Sequence, residues 1–191
     1  MSDLLPGFAD PVIDAQAAFR AVLEAMSRPG RVVTIDRPPE APAPLMPAAA
    51  AVLLALADAD TLVWNDAGPG AATWLGFHAG CGFAPTPREA RFVLATDTAP
   101  ALDTLEPGTE EEPQLSATLI LQVEALEMGR GWHLTGPGIE HAHRLHVTGA
   151  PAGFLAQWQA QRAGFPCGVD VILCAGRQLT ALPRTVQIEE G

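Results

Sequence analysis

The chain has 191 residues, with 22 acidic and 11 basic side chains and a formal charge of −11. Every base is arginine; lysine and tyrosine are absent. A chain this acidic lacks the cationic footprint of a nucleic-acid binder and repels anionic membranes, so any anion site must be a local arginine or backbone-amide feature.

Asp14 is read as the opening of the first helix, with Ala15, Ala18, Phe19, Val22, Leu23 and Met26 recurring at helical spacing as its core face. Ser27-Arg-Pro-Gly30 stops it. Arg31 to Ile35 predicts a strand, and Pro38 to Pro47 a proline-rich surface connection. Ala48 to Ala57 is uncharged and predicts a buried helix. Thr61 to Trp64 predicts a strand, Asp66 to Gly70 a loop, Ala71 to Phe77 a short helix, and Arg91 to Ala95 a strand. Thr98 to Leu105 reads as a helix, and Pro107 to Gln114 as a solvated acidic loop. Thr118 to Leu126 and Trp132 to Thr135 read as a hairpin across Met128-Gly-Arg-Gly131. Ala152 to Ala163 predicts a helix carrying Phe154, Leu155 and Trp158.

The closing hairpin organises the rest. Val169 to Cys174 is almost continuously apolar, Ala175-Gly-Arg177 supplies a tight turn, and Gln178 to Leu182 runs back. Helices and strands alternate early and hairpins come late, which predicts an α/β fold: a mixed sheet with helices on its faces. The length predicts one domain over residues 1–191.

Cysteines at 81, 167 and 174 form no disulfide framework and fit a reducing cytoplasm. Met1 to Asp10 has neither a basic region nor an apolar core, so no secretory signal is expected. The longest apolar run falls far short of the ~20 residues a bilayer needs.

No catalytic constellation stands out. There is no Gly-x-Ser-x-Gly elbow, Cys-x-x-Cys or phosphate-loop fingerprint. His141, His143 and His146 resemble metal ligands in spacing, but no cysteine is near and a closed zinc site usually takes four ligands. The segment is therefore expected to be an exposed edge or loop without metal. His78 is a candidate acid/base or phosphate contact, or a structural histidine. Asp170 and Arg184 are the charges of the closing hairpin. Counting outward from Gly176 puts Asp170 near Leu182 and Arg184 diagonally across, within reach for a bidentate pair. Two readings stay open: a structural ion pair, or the lining of an anion site.

Nine stretches, in order, carry a family resemblance. They are Asp14-Ala-Gln-Ala-Ala-Phe-Arg20, Ala25-Met-Ser-Arg-Pro-Gly30, Leu53-Leu-Ala-Leu-Ala-Asp58, the Trp64 strand and Gly76-Phe-His-Ala-Gly80. Ser116-Ala-Thr-Leu-Ile-Leu-Gln-Val123, Leu134-Thr-Gly-Pro-Gly-Ile139, Phe165-Pro-Cys-Gly-Val-Asp170 and Leu182-Pro-Arg-Thr185 complete them. Together they resemble the H subunit of the carbon–phosphorus lyase core complex (PhnH), used by bacteria in phosphonate catabolism. Ala79 stands where that family often has threonine, and the histidine cluster lies outside the pattern.

The resemblance implies a three-layer mixed sheet flanked by helices, similar to the large domain of pyridoxal-phosphate-dependent transferases but without the cofactor. A Schiff-base enzyme needs a lysine amine, and the chain has none. The resemblance also implies a cytoplasmic homodimer that assembles with the G, I and J subunits. With the G, I and L subunits it would support displacement of adenine from ATP by a phosphonate, giving ribose 1-phosphonate 5-triphosphate. Cleavage of the C–P bond would belong to the J subunit. No catalytic residue, cofactor or metal is expected in this chain, which reads as an assembly subunit of a multi-subunit transferase, inactive alone. The alternative is a subunit contributing a phosphonate or nucleotide site through His78, Asp170 and Arg184.

Overall fold

A computed structural model describes residues 4–191. Helix α1, Pro11–Ser27, is capped by Asp10, whose carboxylate accepts the Val12 and Ile13 amides at 3.1 and 3.0 Å. The expected cap, Asp14, lies inside the helix and is buried; it accepts the Asp10 amide at 2.9 Å and stands 3.0 Å from Arg37 Nε. Ala18, Val22 and Ala25 make the buried face, while Phe19 and Leu23 are exposed, contrary to the expected core face. The apolar stripe is simply wider than the surface that covers it.

Strand β1 is Val33–Thr34, helix α2 Pro47–Leu56, strand β2 Leu62–Asn65 and helix α3 Gly68–His78. Ala48 to Leu53 are fully buried, as an uncharged helix requires. Helix α3 starts three residues before the expected Ala71, because Pro69 suits a first turn. Strand β3 is Gly82–Phe83, β4 Phe92–Ala95 and β5 Thr118–Gln122. Between β4 and β5 the expected helix reduces to one 3₁₀ turn at Leu102–Thr104. Strand β6 is Ala125–Thr135, β7 His143–Thr148 and helix α4 Phe154–Gln161. Strand β8 is Asp170–Ala175, β9 Gln178–Leu182 and β10 Gln187–Glu189.

Seven strands form one mixed sheet in the order β1-β9-β8-β5-β4-β2-β3. Strands β8, β5, β4, β2 and β3 are parallel; β9 alone runs against them, and β1, antiparallel to β9, points the same way as the parallel set. The outer strands, β1 and β3, are two residues each. Side-chain alternation splits the core in two. Phe92, Leu94, Ile120, Ile172 and Cys174 join the cluster holding residues of α1, α2 and α3. Val93, Leu119, Leu121, Val171 and Leu173 join the opposite cluster, with Phe154 and Trp158 of α4. A small antiparallel sheet, β10-β6-β7, contributes Leu134, Leu145 and Ile188 to that second cluster. The result is an α/β fold of mixed sheets flanked by helices.

One expected hairpin does not form. Thr118–Gln122 is apolar throughout its interior because it lies between β4 and β8, not beside β6. Met128 to Gly131 is a bulge inside the single strand β6, where Gly129 and Gly131 take positive φ and the pairing with β7 shifts register.

The fold sorts the thiols. Cys174 is fully buried and Cys81 nearly so, and burial raises the pKa of both; Cys167 is half-buried. Since only the thiolate reacts, Ellman's reagent near the ordinary thiol pKa of about 8.5 is expected to modify Cys167 first. Cys81 and Cys174 should react only with unfolding; fast native labelling of Cys174 would contradict this burial.

Candidate functional site

The closing hairpin places the two charges it was expected to place. Its loop is two residues, Gly176 and Arg177, with Ala175 opposite Gln178 and Val171 opposite Leu182. The register is one residue off the count centred on Gly176, so Asp170 faces Pro183 rather than Leu182. Arg184 still reaches it. Nε donates to Asp170 Oδ1 at 3.1 Å, Nη2 to Oδ2 at 2.5 Å, and the Arg184 backbone amide to Oδ1 at 2.7 Å. The side chains are only 14% and 17% exposed, so this is a largely desolvated bidentate pair.

The remaining guanidinium donors are occupied too. Nη1 donates to the Pro113 and Pro166 carbonyls at 2.8 and 3.4 Å, and Nη2 to Ser116 Oγ at 2.5 Å. Arginine has five N–H groups, and here each has a protein acceptor. An incoming anion would have to displace one of them. Beside this cluster, Gln161 holds both backbone groups of Val169, accepting at 2.9 Å and donating at 3.2 Å. It also lines a cleft of about 540 Å³ with Leu102, Leu105, Cys167 and Arg88.

His78 is elsewhere. It ends α3, donates through Nε2 to the Leu5 carbonyl at 2.9 Å, and rests 4.8 Å from the Trp74 ring. Trp74 Nε1 donates to the same carbonyl at 2.8 Å. Gly7 closes over Nδ1, where an added Cβ would sit 2.8 Å away. His78 thus pins the N-terminal segment. Strands β5, β4 and β2 separate β8 from β3, the strand that follows α3. Four strand spacings, about 19 Å, separate those two strands across the sheet.

The usual ligand position in such sheets lies outside the carboxyl ends of the parallel strands, and here loops of the chain cross part of it. Asp66, after β2, accepts the Thr96, Asp97 and Thr98 amides and the Thr96 hydroxyl. Gln122, at the end of β5, accepts the Met46 amide at 2.6 Å and donates to the Pro44 carbonyl at 3.0 Å. The Ala48 amide, in the first turn of α2, donates to the Gly176 carbonyl at 2.9 Å.

The histidines do not converge. His141 is 90% exposed near Glu140, His143 bonds the Pro29 carbonyl at 2.7 Å, and His146 lies opposite Glu127. Among the described residues no three His, Cys, Asp or Glu side chains gather. A cleft that motif reading missed lies beside His143. Arg28, Arg31 and Arg144 line it, at the meeting of the Ser27–Gly30 and Gly136–Gly138 turns. The Ser27–Gly30 stop is legible in the sequence; its packing against Gly136–Gly138 is not legible from spacing.

A largely buried ion pair is costly to halve. Asp170→Ala should lower unfolding stability by about 3–5 kcal/mol, because it strands the Arg184 charge. Arg184→Lys should recover only part, since an ammonium cannot fork. Urea unfolding checks both; two variants as stable as the parent would show that the pair holds nothing together.

Known proteins bear on this arrangement. The family model described as bacterial phosphonate metabolism protein (PhnH) matches residues 6–189. A Rhizobium meliloti protein, alpha-D-ribose 1-methylphosphonate 5-triphosphate synthase subunit PhnH, is 40% identical over 95% of this chain and 94% of its own length. A Stutzerimonas stutzeri protein, putative C-P lyase subunit protein HtxG, is 35% identical over 91% of this chain and 85% of its own. With the match running from the N-terminal segment pinned by His78 to the last strand, the chain belongs to the PhnH family of bacterial phosphonate metabolism proteins.

Proposed function

We propose that this chain serves phosphonate catabolism as an assembly subunit of a carbon–phosphorus lyase complex, without an active site of its own. Family membership supports the pathway. The observation that carries the assembly role is the uncovered stripe on α1: Val12, Phe19 and Leu23 are 75%, 48% and 56% exposed. At spacings of seven and four residues they share one helix face. An exposed apolar face on an acidic, otherwise well-packed chain suits a protein partner.

In this reading the partners are the G, I and J subunits, and the isolated chain is a homodimer in the cytoplasm. The protein acts as one domain over residues 1–191. With the G, I and L subunits it supports the transferase step that makes ribose 1-phosphonate 5-triphosphate from ATP and phosphonate. The designation of the Rhizobium relative as a synthase subunit supports that placement. We also hold the sheet to be akin to the large domain of pyridoxal-phosphate-dependent transferases; the lack of lysine argues against the cofactor's imine chemistry. The alternative, a ligand site on His78, Asp170 and Arg184, has no observation in its favour, since the guanidinium donors are already paired.

Co-expression with tagged partner subunits tests the role. A Phe19→Asp/Leu23→Asp variant should keep its melting temperature, since both side chains are exposed, yet copurify at least about tenfold less, as loss of anchors at an interface predicts. Copurification equal to the parent's would remove α1 from the interface. Release of adenine from ATP and methylphosphonate by this chain alone would overturn the assembly reading.

A further inference from the structure

The cleft between the end of α1 and the start of β7 concentrates positive charge on a negative protein. Its volume is about 510 Å³, and Arg28, Arg31 and Arg144 line it with His143 and Glu140. Three arginines less Glu140 leave a formal +2 among the lining residues, on a chain of −11. Counting Glu24, which stands 3.9 and 3.5 Å from Arg28 and Arg31, the balance is still +1. Those two contacts join exposed side chains and are long, so they constrain the guanidiniums weakly. Arg144 makes one weak contact, to the Gly131 carbonyl at 3.5 Å. Unlike Arg184, these arginines keep donors in hand.

The backbone is built to bring them together. Gly138 packs so closely on the end of α1 that an added Cβ would collide with the Ser27 carbonyl and crowd the Pro29 ring. Gly30 fits against Leu134 and His143 in the same way. His143 locks the junction through Nδ1, which donates to the Pro29 carbonyl at 2.7 Å; its Nε2 is not part of that bond. On the β6 side Gly129, at φ 93°, has nothing within 4 Å of where a Cβ would be, so a ligand can approach the backbone there.

We propose that this cleft binds a compact polyanion, a small molecule carrying two or more phosphoryl or phosphonyl groups. Planar guanidiniums match tetrahedral oxyanions bidentately, and three of them, two from the turn after α1 and one from β7, exceed what one oxyanion needs. The volume is that of a small-ligand site and not of a flat protein contact. The site needs no partner subunit, so it stands or falls apart from the assembly role.

Isothermal titration of the full chain with inorganic tripolyphosphate tests the site, with methylphosphonate and a glutamate-rich peptide as further arms. Tripolyphosphate should bind, and methylphosphonate more weakly; the reverse order would assign the cleft to a single phosphonyl group and overturn the polyanion. Arg28→Gln and Arg144→Gln should each weaken tripolyphosphate at least about tenfold, the worth of a charge-assisted contact, with unchanged melting temperature. The exposed Arg162→Gln should not. If a glutamine variant fails to fold, Arg144→Lys keeps the charge without the fork, and an affinity equal to the parent's would count against the site. No heat at millimolar tripolyphosphate, an equal loss with Arg162→Gln, or tighter binding of the acidic peptide would each overturn the proposal.

Discussion

A buried guanidinium needs an acceptor for every N–H, and that requirement at Arg184 orders one end of the molecule. Its acceptors come from the start of β8, the Pro113–Ser116 turn that leads into β5, and the Pro166 carbonyl. Strands β5 and β8 are neighbours at the centre of the large sheet. One side chain therefore sets where both central strands begin. Arg91 reinforces the arrangement by donating to the Ser116 carbonyl at 2.9 Å, which adds the entrance of β4. Such charge is tolerated inside a protein only when fully paired, so each segment depends on the others.

The opposite end of the sheet is closed differently. Asp66 and Gln122 bind backbone groups of neighbouring loops, and the Gly176 turn occupies an amide in the first turn of α2. In many parallel sheets that end is the ligand site. Here Asp66 and Gln122 are engaged in holding loops. The chain keeps an α/β frame while part of its carboxyl-end crevice serves as its own scaffolding. The face of α1 and the arginine cleft lie away from that end, at the periphery.

Local chemistry made much of the fold legible. Continuous apolar runs marked β4, β5 and β8, and the uncharged alanine–leucine stretch marked α2. The reach from Arg184 to Asp170 followed from hairpin geometry, even with the register one residue off. The failures were tertiary. Met128-Gly-Arg-Gly131 has turn composition, yet it is a bulge because β7, not β5, supplies the partner strand. Phe19 and Leu23 fit helical periodicity but lie beyond the width of the core. The arginine cleft could not be found by spacing, since Arg31 and Arg144 meet only through glycines packed across the fold.

The large sheet ends on both sides in strands of two residues, β1 and β3. An edge that short offers a visiting strand only one or two ladder hydrogen bonds before the chain turns away. The sheet is consequently blunt: its edges give a partner strand, or a second copy, little backbone to pair with. For a protein with nearly half its residues apolar, the short edges limit fibre-like growth through the large sheet. Any subunit that joins this chain along that sheet must recognise side chains, which are specific, instead of backbone edges, which every sheet protein shares.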